Sequence, residues 1–252
     1  MALNRLAAAA VAAMMLVSLT SEAQLYGTAR DARSGAMGGC YLTDDTTRRV
    51  SVDYRQAFML AAMADKGLAL LWPTARVGTI DAAYRYHGNA DYHEQEAAVG
   101  YGLRVAPWLK VAVEARYVYA GTADAYYEPR HWLAGGAAVT ASLGRRVDVT
   151  VAVGSRPWAA EKPWKARLQI ASRPMVSILT VVEADWEERL RWRLGMEYSY
   201  RGMVYARAGL ATNPAVATFG VGVKWRGLGV DLGAEVHRAL GITPQTSLTL
   251  WF

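Results

Sequence analysis

Hydrophobic and polar positions alternate through most of the chain from residue 77 onward, and turn residues interrupt the alternation at short intervals. A two-residue period sends successive side chains to opposite faces, so the pattern predicts strands whose two sides meet different surroundings. Over residues 228–237, Leu228, Val230, Leu232, Ala234 and Val236 fall on one side, and Gly229, Asp231, Gly233, Glu235 and His237 on the other. Val147, Val149, Val151 and Val153 oppose Asp148, Thr150, Ala152 and Gly154 in the same way. Leu109, Val111, Val113, Ala115 and Tyr117 oppose Lys110, Ala112, Glu114 and Arg116, and Leu190, Trp192, Leu194, Met196 and Tyr198 oppose Arg191, Arg193, Gly195, Glu197 and Ser199.

A soluble sandwich also alternates, and three further features decide the medium. The segments run to roughly 10 residues, the length of a tilted strand that crosses a bilayer. Aromatic residues gather near segment ends on the apolar side, as at Tyr84 and Tyr86, Tyr117 and Tyr119, Trp186, Tyr198 and Tyr200, and Trp225, which would form two interfacial girdles. The polar faces carry full charges and many glycines, which a dry core could hold only at a large desolvation cost.

The connections alternate in length as well. Short turns are expected near residues 106–107, 144–146, 173–174, 200–202 and 225–227, with mostly longer connections between them, including 120–130, 156–164 and 239–245. Segments from residue 77 to the end give about twelve strands. Residues 57–63 and 67–72 offer one more hairpin, and an even count suits a barrel with both ends on one side. The predicted fold is all-β: a transmembrane antiparallel β-barrel of about 12–14 strands with a short N-terminal plug segment.

Composition narrows the setting. Arg5, an apolar run over residues 6–17 and small residues up to Ala23 read as an export signal, residues 1–23, cleaved after Ala23. The run is too short for a spanning helix. Residues 24–64 are then the plug or lead-in segment and 65–252 the barrel. Losing Arg5 and Glu22 leaves the net charge at +6. Acids and bases are interspersed instead of blocked, and the chain is exported, so nucleic acid is not an expected partner. The single Cys40 excludes an internal disulfide framework, and Met37-Gly-Gly-Cys40 lies too far from the apolar run for a lipidation signal. Nine Trp and fourteen Tyr against three Phe favour a membrane interface, where an apolar ring with a polar tip is at home.

The inward faces are expected to hold Asp81, Arg85, Glu96, Arg104, Lys110, Glu114, Arg116, Asp148, Arg167, Glu183, Asp185, Arg191, Arg193, Glu197, Arg207, Lys224, Asp231 and Glu235. Mixed signs on neighbouring strands read either as structural cross-bracing or as a hydrated path whose charges select solutes. His87, His93, His131 and His237 all fall near one set of strand ends without a nucleophile arrangement or metal-ligand spacing. Gly35-Ala-Met-Gly-Gly39 lacks the context of a phosphate loop. No catalytic residues, cofactor or metal are expected, and an outer-membrane lipid-modifying enzyme is the less favoured alternative.

Residues 32–45 differ in kind, mixing small residues with little periodicity. Ala32-Arg33, Met37-Gly38-Gly39 and Asp44-Asp45 resemble the opening of the FadL-like outer-membrane family, which includes fatty-acid transporters and the PorV and PorQ proteins of type IX secretion in Bacteroidetes. The family's Asn-Pro-Ala element is absent, and Cys40 stands where Ala is usual. The resemblance implies that Arg33, Met37, Gly38, Gly39, Asp44 and Asp45 form a plug in the lumen. It also implies transport of a small or amphipathic solute, or an accessory role in secretion and surface assembly. A structural or narrow-pore barrel without a specific ligand is the alternative. The final residues Leu248, Leu250 and Phe252 resemble the terminal-strand signal read by the barrel-assembly machinery. The expected location is the outer membrane, with its lipid and that machinery as partners.

Overall fold

The computed structural model describes residues 31–42, 47–74, 78–124, 128–155, 164–187 and 189–252. Fourteen strands form one closed antiparallel barrel in which each strand pairs with its neighbours in sequence and β1 pairs with β14. They are β1 (Arg49–Gln56), β2 (Ala64–Thr74), β3 (Gly78–Gly88), β4 (Tyr92–Ala106), β5 (Leu109–Thr122), β6 (Arg130–Leu143) and β7 (Val147–Ser155). The second half comprises β8 (Trp164–Met175), β9 (Ile178–Trp186), β10 (Leu190–Tyr200), β11 (Val204–Ala211), β12 (Val216–Trp225), β13 (Leu228–His237) and β14 (Gly241–Trp251). The count falls at the upper end of the expected range. No helix among the described residues is long and apolar enough to cross a membrane.

Two placements depart from the sequence reading. The barrel wall begins at Arg49 instead of residue 65, so the last part of segment 24–64 belongs to the barrel. Val50, Val52 and Tyr54 of β1 face outward and meet Leu250, Leu248 and Thr246 of β14 across the closing ladder. Residues 57–63, expected as a strand, instead form two 3-10 turns, Ala57–Met59 and Ala61–Met63. Phe58 and Met59 sit at positive φ, 54° and 62°. The Phe58 N–H donates to Thr243 Oγ1 at 3.0 Å, and its ring packs edge-on against His237, which fixes the loop over the barrel mouth. A third difference is smaller. The connection expected over 239–245 shortens to a turn, because β14 already starts at Gly241.

The tight turns at 107–108, 144–146, 176–177, 201–203 and 226–227 share one end with the start of β1 and the end of β14. Arg201, Gly202, Arg226, Gly227 and Gly144 take the positive φ that such turns require. The loop 57–63 lies at the other, long-loop end, together with Thr122, Arg130, Ser155 and Trp164, the strand ends that flank the longer connections in sequence.

Outward side chains form a continuous apolar surface, with Val99, Leu133, Val151, Leu194, Val221 and Leu232 all exposed. A patch this extensive suits lipid and not water. Exposed aromatic rings ring both ends. Tyr84, Tyr117, Trp164, Trp186 and Trp192 lie toward the long-loop end, and Trp72, Tyr101, Tyr198, Tyr200, Trp225 and Phe252 toward the short-turn end. Phe252 packs edge-on against Trp72, with ring centroids 5.8 Å apart, and its N–H reaches the carbonyl of Arg48. The closing seam is thereby buttoned at the short-turn end.

Val221 lies mid-strand on the lipid side. Val221→Arg should destabilise the bilayer-folded protein by about 2–4 kcal/mol, read from urea unfolding curves in vesicles by tryptophan fluorescence. An unchanged midpoint would mean that this surface does not contact hydrocarbon.

Candidate functional site: a plugged, ion-paired lumen

Residues 31–42 lie inside the barrel. A four-residue helix, α1 (Ala32–Gly35), is started by Asp31, whose Oδ1 accepts from the Ser34 N–H at 2.7 Å. The chain then turns through Gly38 and Gly39, at φ of 73° and 75°, a conformation that glycine adopts without penalty. Ala32, Ala36, Met37 and Cys40 are almost wholly buried.

The segment is held mostly by its backbone. The Ala32 N–H donates to Ser247 Oγ at 2.6 Å. Thr218 bridges the turn, accepting from the Gly38 N–H at 2.8 Å and donating to the Ala36 carbonyl at 2.9 Å. The Tyr41 N–H donates to Glu183 Oε2 at 3.0 Å, and Gln169 Nε2 donates to the Tyr41 carbonyl at 2.6 Å. One side chain anchors it as well: Arg33 grips Glu197 through two bonds, at 2.8 and 2.7 Å. Planar guanidinium on carboxylate fixes direction as well as distance.

Such close approach needs a wall without side chains. A Cβ at Gly195 would strike the carbonyl of Met37, and one at Gly209 would strike the Gly38 nitrogen. At Gly220 it would strike the Cβ of Ala36, and at Gly233 the carbonyl of Ala32. Gly195 faces Gly209 across β10 and β11, and Gly220 faces Gly233 across β12 and β13. These four glycines form the seat, and the small residues of the segment fit into it.

Around the seat the inward charges pair. On one side Arg167 reaches Asp185 at 2.6 Å and Glu183 at 3.3 Å, and Arg193 bridges the same two carboxylates. Arg207 joins Glu197 at 2.7 Å to Asp231 at 2.6 Å. On the other side Arg116 meets Glu96 and Glu114, Arg85 meets Glu96 and Asp65, and Arg55 spans from Asp65 to Glu235. Glu183, Arg207, Glu197 and Arg116 are buried. Buried charge is tolerable only when so compensated, and removing one partner typically costs about 3–5 kcal/mol.

Of the charges read from the sequence as inward, Glu96, Glu114, Arg116, Arg193, Glu197, Arg207 and Asp231 are buried in this mesh. Arg85 and Glu235 join it half-buried. Arg104 is a departure: it lies on the inward face of β4, but beside the short-turn rim, and is exposed. Arg191 is half-buried opposite Asp185, which is already taken by Arg167 and Arg193. Arg33, Met37, Gly38 and Gly39 lie at the seat. Asp44 and Asp45 lie outside the described residues, as does the export signal. Leu248 and Leu250 face outward on β14.

The histidines do not converge. His87 bonds Asp65 inside the barrel, His93 and His131 lie among outward tyrosines, and His237 accepts the N–H groups of Ala239 and Leu240. No cluster among the described residues could hold a metal ion.

The sequence reading missed Arg55, which lies in the stretch taken for lead-in, and the polar partners Gln169, Thr218 and Ser247. Their inward parity was visible, but nothing local marked them as contacts of a segment some 130–215 residues away.

No protein-family model matches the sequence, and no curated protein matches it either. Solved structures match the fold. The chain is similar to the CymD monoaromatic hydrocarbon channel, with a TM-score of 0.63 at 11% identity over 92% of this chain and 99% of that one. The deltaS2S3 mutant of the TodX monoaromatic hydrocarbon channel gives 0.66 at 9% identity, covering 88% and 99%. The Acinetobacter baumannii outer membrane protein Omp33 gives 0.59 at 12%, covering 82% and 98%. The fold is that of an outer-membrane β-barrel.

Two expectations follow from the seat. Glu197 keeps Arg207 when Arg33 is removed, so Arg33→Ala should fold yet raise hydrogen exchange across residues 31–42 by roughly 10- to 100-fold. Mass spectrometry of those peptides would show it, and unchanged exchange would deny the anchor. Burial pushes the Cys40 thiol well above its ordinary range, and Glu183 adds to the rise, so the reactive thiolate is disfavoured. Cys40 should resist maleimide at pH 8 in the folded protein and react once it is unfolded.

Proposed function

We propose that this chain is an outer-membrane channel of FadL-like type for a small amphipathic or aromatic solute, with residues 31–42 as its plug. The observation that carries the reading is a segment seated inside the lumen and held largely through backbone bonds and one arginine, an arrangement that can be released without dismantling the wall. Its ion pairs link strands to one another, so the wall stays braced when the segment leaves. The hydrocarbon channels of similar fold support a solute of this class.

On this reading the export signal delivers the chain to the periplasm, and Leu248, Leu250 and Phe252 present it to the barrel-assembly machinery. An accessory role in secretion would use the same plugged form with no solute, and copurification from outer membranes is the observation that would favour it. Catalysis is left out of this reading, because His87 lies inside the barrel, His93 and His131 lie on the outward face, and among the described residues none stands beside a nucleophile.

A second reading has its own support. The mesh from Arg116 through Arg85 and Arg55 to Glu235 occupies the half of the lumen away from the seat, which favours a sealed structural barrel. Planar-bilayer recording separates the two. The mature chain lacking residues 24–42 should show discrete open steps where the intact chain is silent, and liposomes carrying it should admit a monoaromatic solute faster. If the shortened chain folds and conducts no better than the intact one, the barrel is structural and the channel reading fails.

A further inference from the structure

The outward wall is not uniform around its circumference. Among the described outward-facing strand positions, Lys66 carries the only full charge, and His93 and His131 are the only imidazoles. All three fall on β2–β6 and toward the long-loop end.

The register places Lys66 in a single rung of polar and aromatic side chains. Tyr54 pairs with Lys66 and Lys66 with Tyr86. Tyr86 pairs with Gln95, Gln95 with Tyr119, and Tyr119 with His131. Six adjacent strands therefore present hydrogen-bonding groups to the surroundings along one rung, which climbs along the barrel axis because the strands are tilted. The rings pack into a continuous row. His93 stacks on Tyr86 with centroids 5.6 Å apart and planes within 10°, and meets Tyr119 at 5.8 Å. Tyr119 then meets His131 at 5.2 Å.

Bonding within the row leaves donors turned outward. Tyr84 donates its hydroxyl to Gln95 Oε1 at 3.0 Å, which leaves the Gln95 amide nitrogen free to donate. The Tyr117 hydroxyl holds His131 at Nδ1, leaving Nε2 on the far side of the ring. The Lys66 ammonium stands 5.6 Å from the Tyr86 ring centre. The opposite sector has a different chemistry at the same end: Trp164, Trp186, Trp192 and Phe219 face outward there.

An interfacial girdle needs aromatic rings, and the tryptophan sector supplies that alone. It does not need a lysine set two residues inside the ladder, where a lipid-facing charge is unfavourable unless it meets water or a counter-charge. We infer that the β2–β4 part of this sector, around Lys66, Tyr86 and Gln95, binds the phosphate of a lipid headgroup in the leaflet at the long-loop end. Lys66 supplies the charge, and Gln95, two strands away across Tyr86, supplies a second donor. Charge-assisted bonds of this kind are stronger than neutral ones, and the stacked Tyr86 and His93 rings beside them would carry the sugar or glycerol of the headgroup. The inference needs the outward wall to face lipid, and it is independent of which solute, if any, crosses the lumen.

Lys66→Met is the direct test, since methionine suits the lipid face and should not impair folding. Native mass spectrometry of the detergent-folded mature chain would be titrated with bisphosphorylated lipid A and with its dephosphorylated form. The wild-type chain should retain the phosphorylated lipid about tenfold more tightly, and Lys66→Met should lose about that factor, while Trp192→Leu in the opposite sector should lose none. Excess inorganic phosphate should compete only weakly. Equal retention of the two lipids, or of one lipid by wild type and Lys66→Met, would show that Lys66 merely extends to water and would overturn the assignment. A dimer dissociated by Lys66→Met would overturn it in favour of contact between two barrels. Single-channel behaviour should be the same in Lys66→Met and wild type, so failure here leaves the channel reading untouched.

Discussion

Hydrocarbon offers no partner to a backbone amide, and a strand with an unpaired edge cannot remain in it. The ladder between β1 and β14 is therefore the contact on which everything else depends. Until Arg49 to Arg55 have found Gln245 to Trp251, the sheet has two open edges and no inside. Closure creates a lumen and a lipid face together and divides the side chains of every strand between them. The inward side chains so gathered are the ones that bond residues 31–42.

The interior then faces a problem of its own making. Charges that kept the strands from being uniformly apolar are now enclosed, and each must be matched. The solution is chains of arginine and carboxylate in which one group serves two partners, as Arg207 serves Glu197 and Asp231. Among the described residues the plug enters this scheme at two points, where Arg33 shares Glu197 with Arg207 and where the Tyr41 N–H donates to Glu183. Elsewhere it is held by hydroxyl and amide groups. Wall bracing and plug retention are thus nearly separate sets of bonds, which makes a removable stopper physically reasonable.

The lipid face was legible in the sequence because a period of two records it locally. Val230, Leu232 and their counterparts need no knowledge of neighbours to be read as outward. The first strand was harder. Arg49-Val-Ser-Val-Asp-Tyr-Arg-Gln56 carries a charge at three of its four inward positions and only three apolar residues outward, so it reads as polar linker. The apolar residues 57–63 beside it attract the strand assignment instead, yet they turn, because Phe58 and Met59 are held at positive φ. Pairing among the charges was not legible, since it depends on which strands become adjacent and with what offset. Arg104 shows the limit of parity: it has the inward phase of Glu96 but sits beyond the depth at which the lumen encloses it. The glycines of the seat were visible as a polar face, but not as space reserved for another stretch of chain.

That seat has a consequence for how the stopper is recognised. Gly195, Gly209, Gly220 and Gly233 accept the segment by lacking side chains, so the trough takes a short chain of small residues that can turn at positive φ, as Gly38 and Gly39 do. Discrimination falls to a few fixed donors and acceptors along the trough. The position of the segment is therefore encoded jointly, by Thr218, Ser247 and Glu197 on the wall and by Arg33, Gly38 and Gly39 in its own sequence, so neither partner alone carries the address.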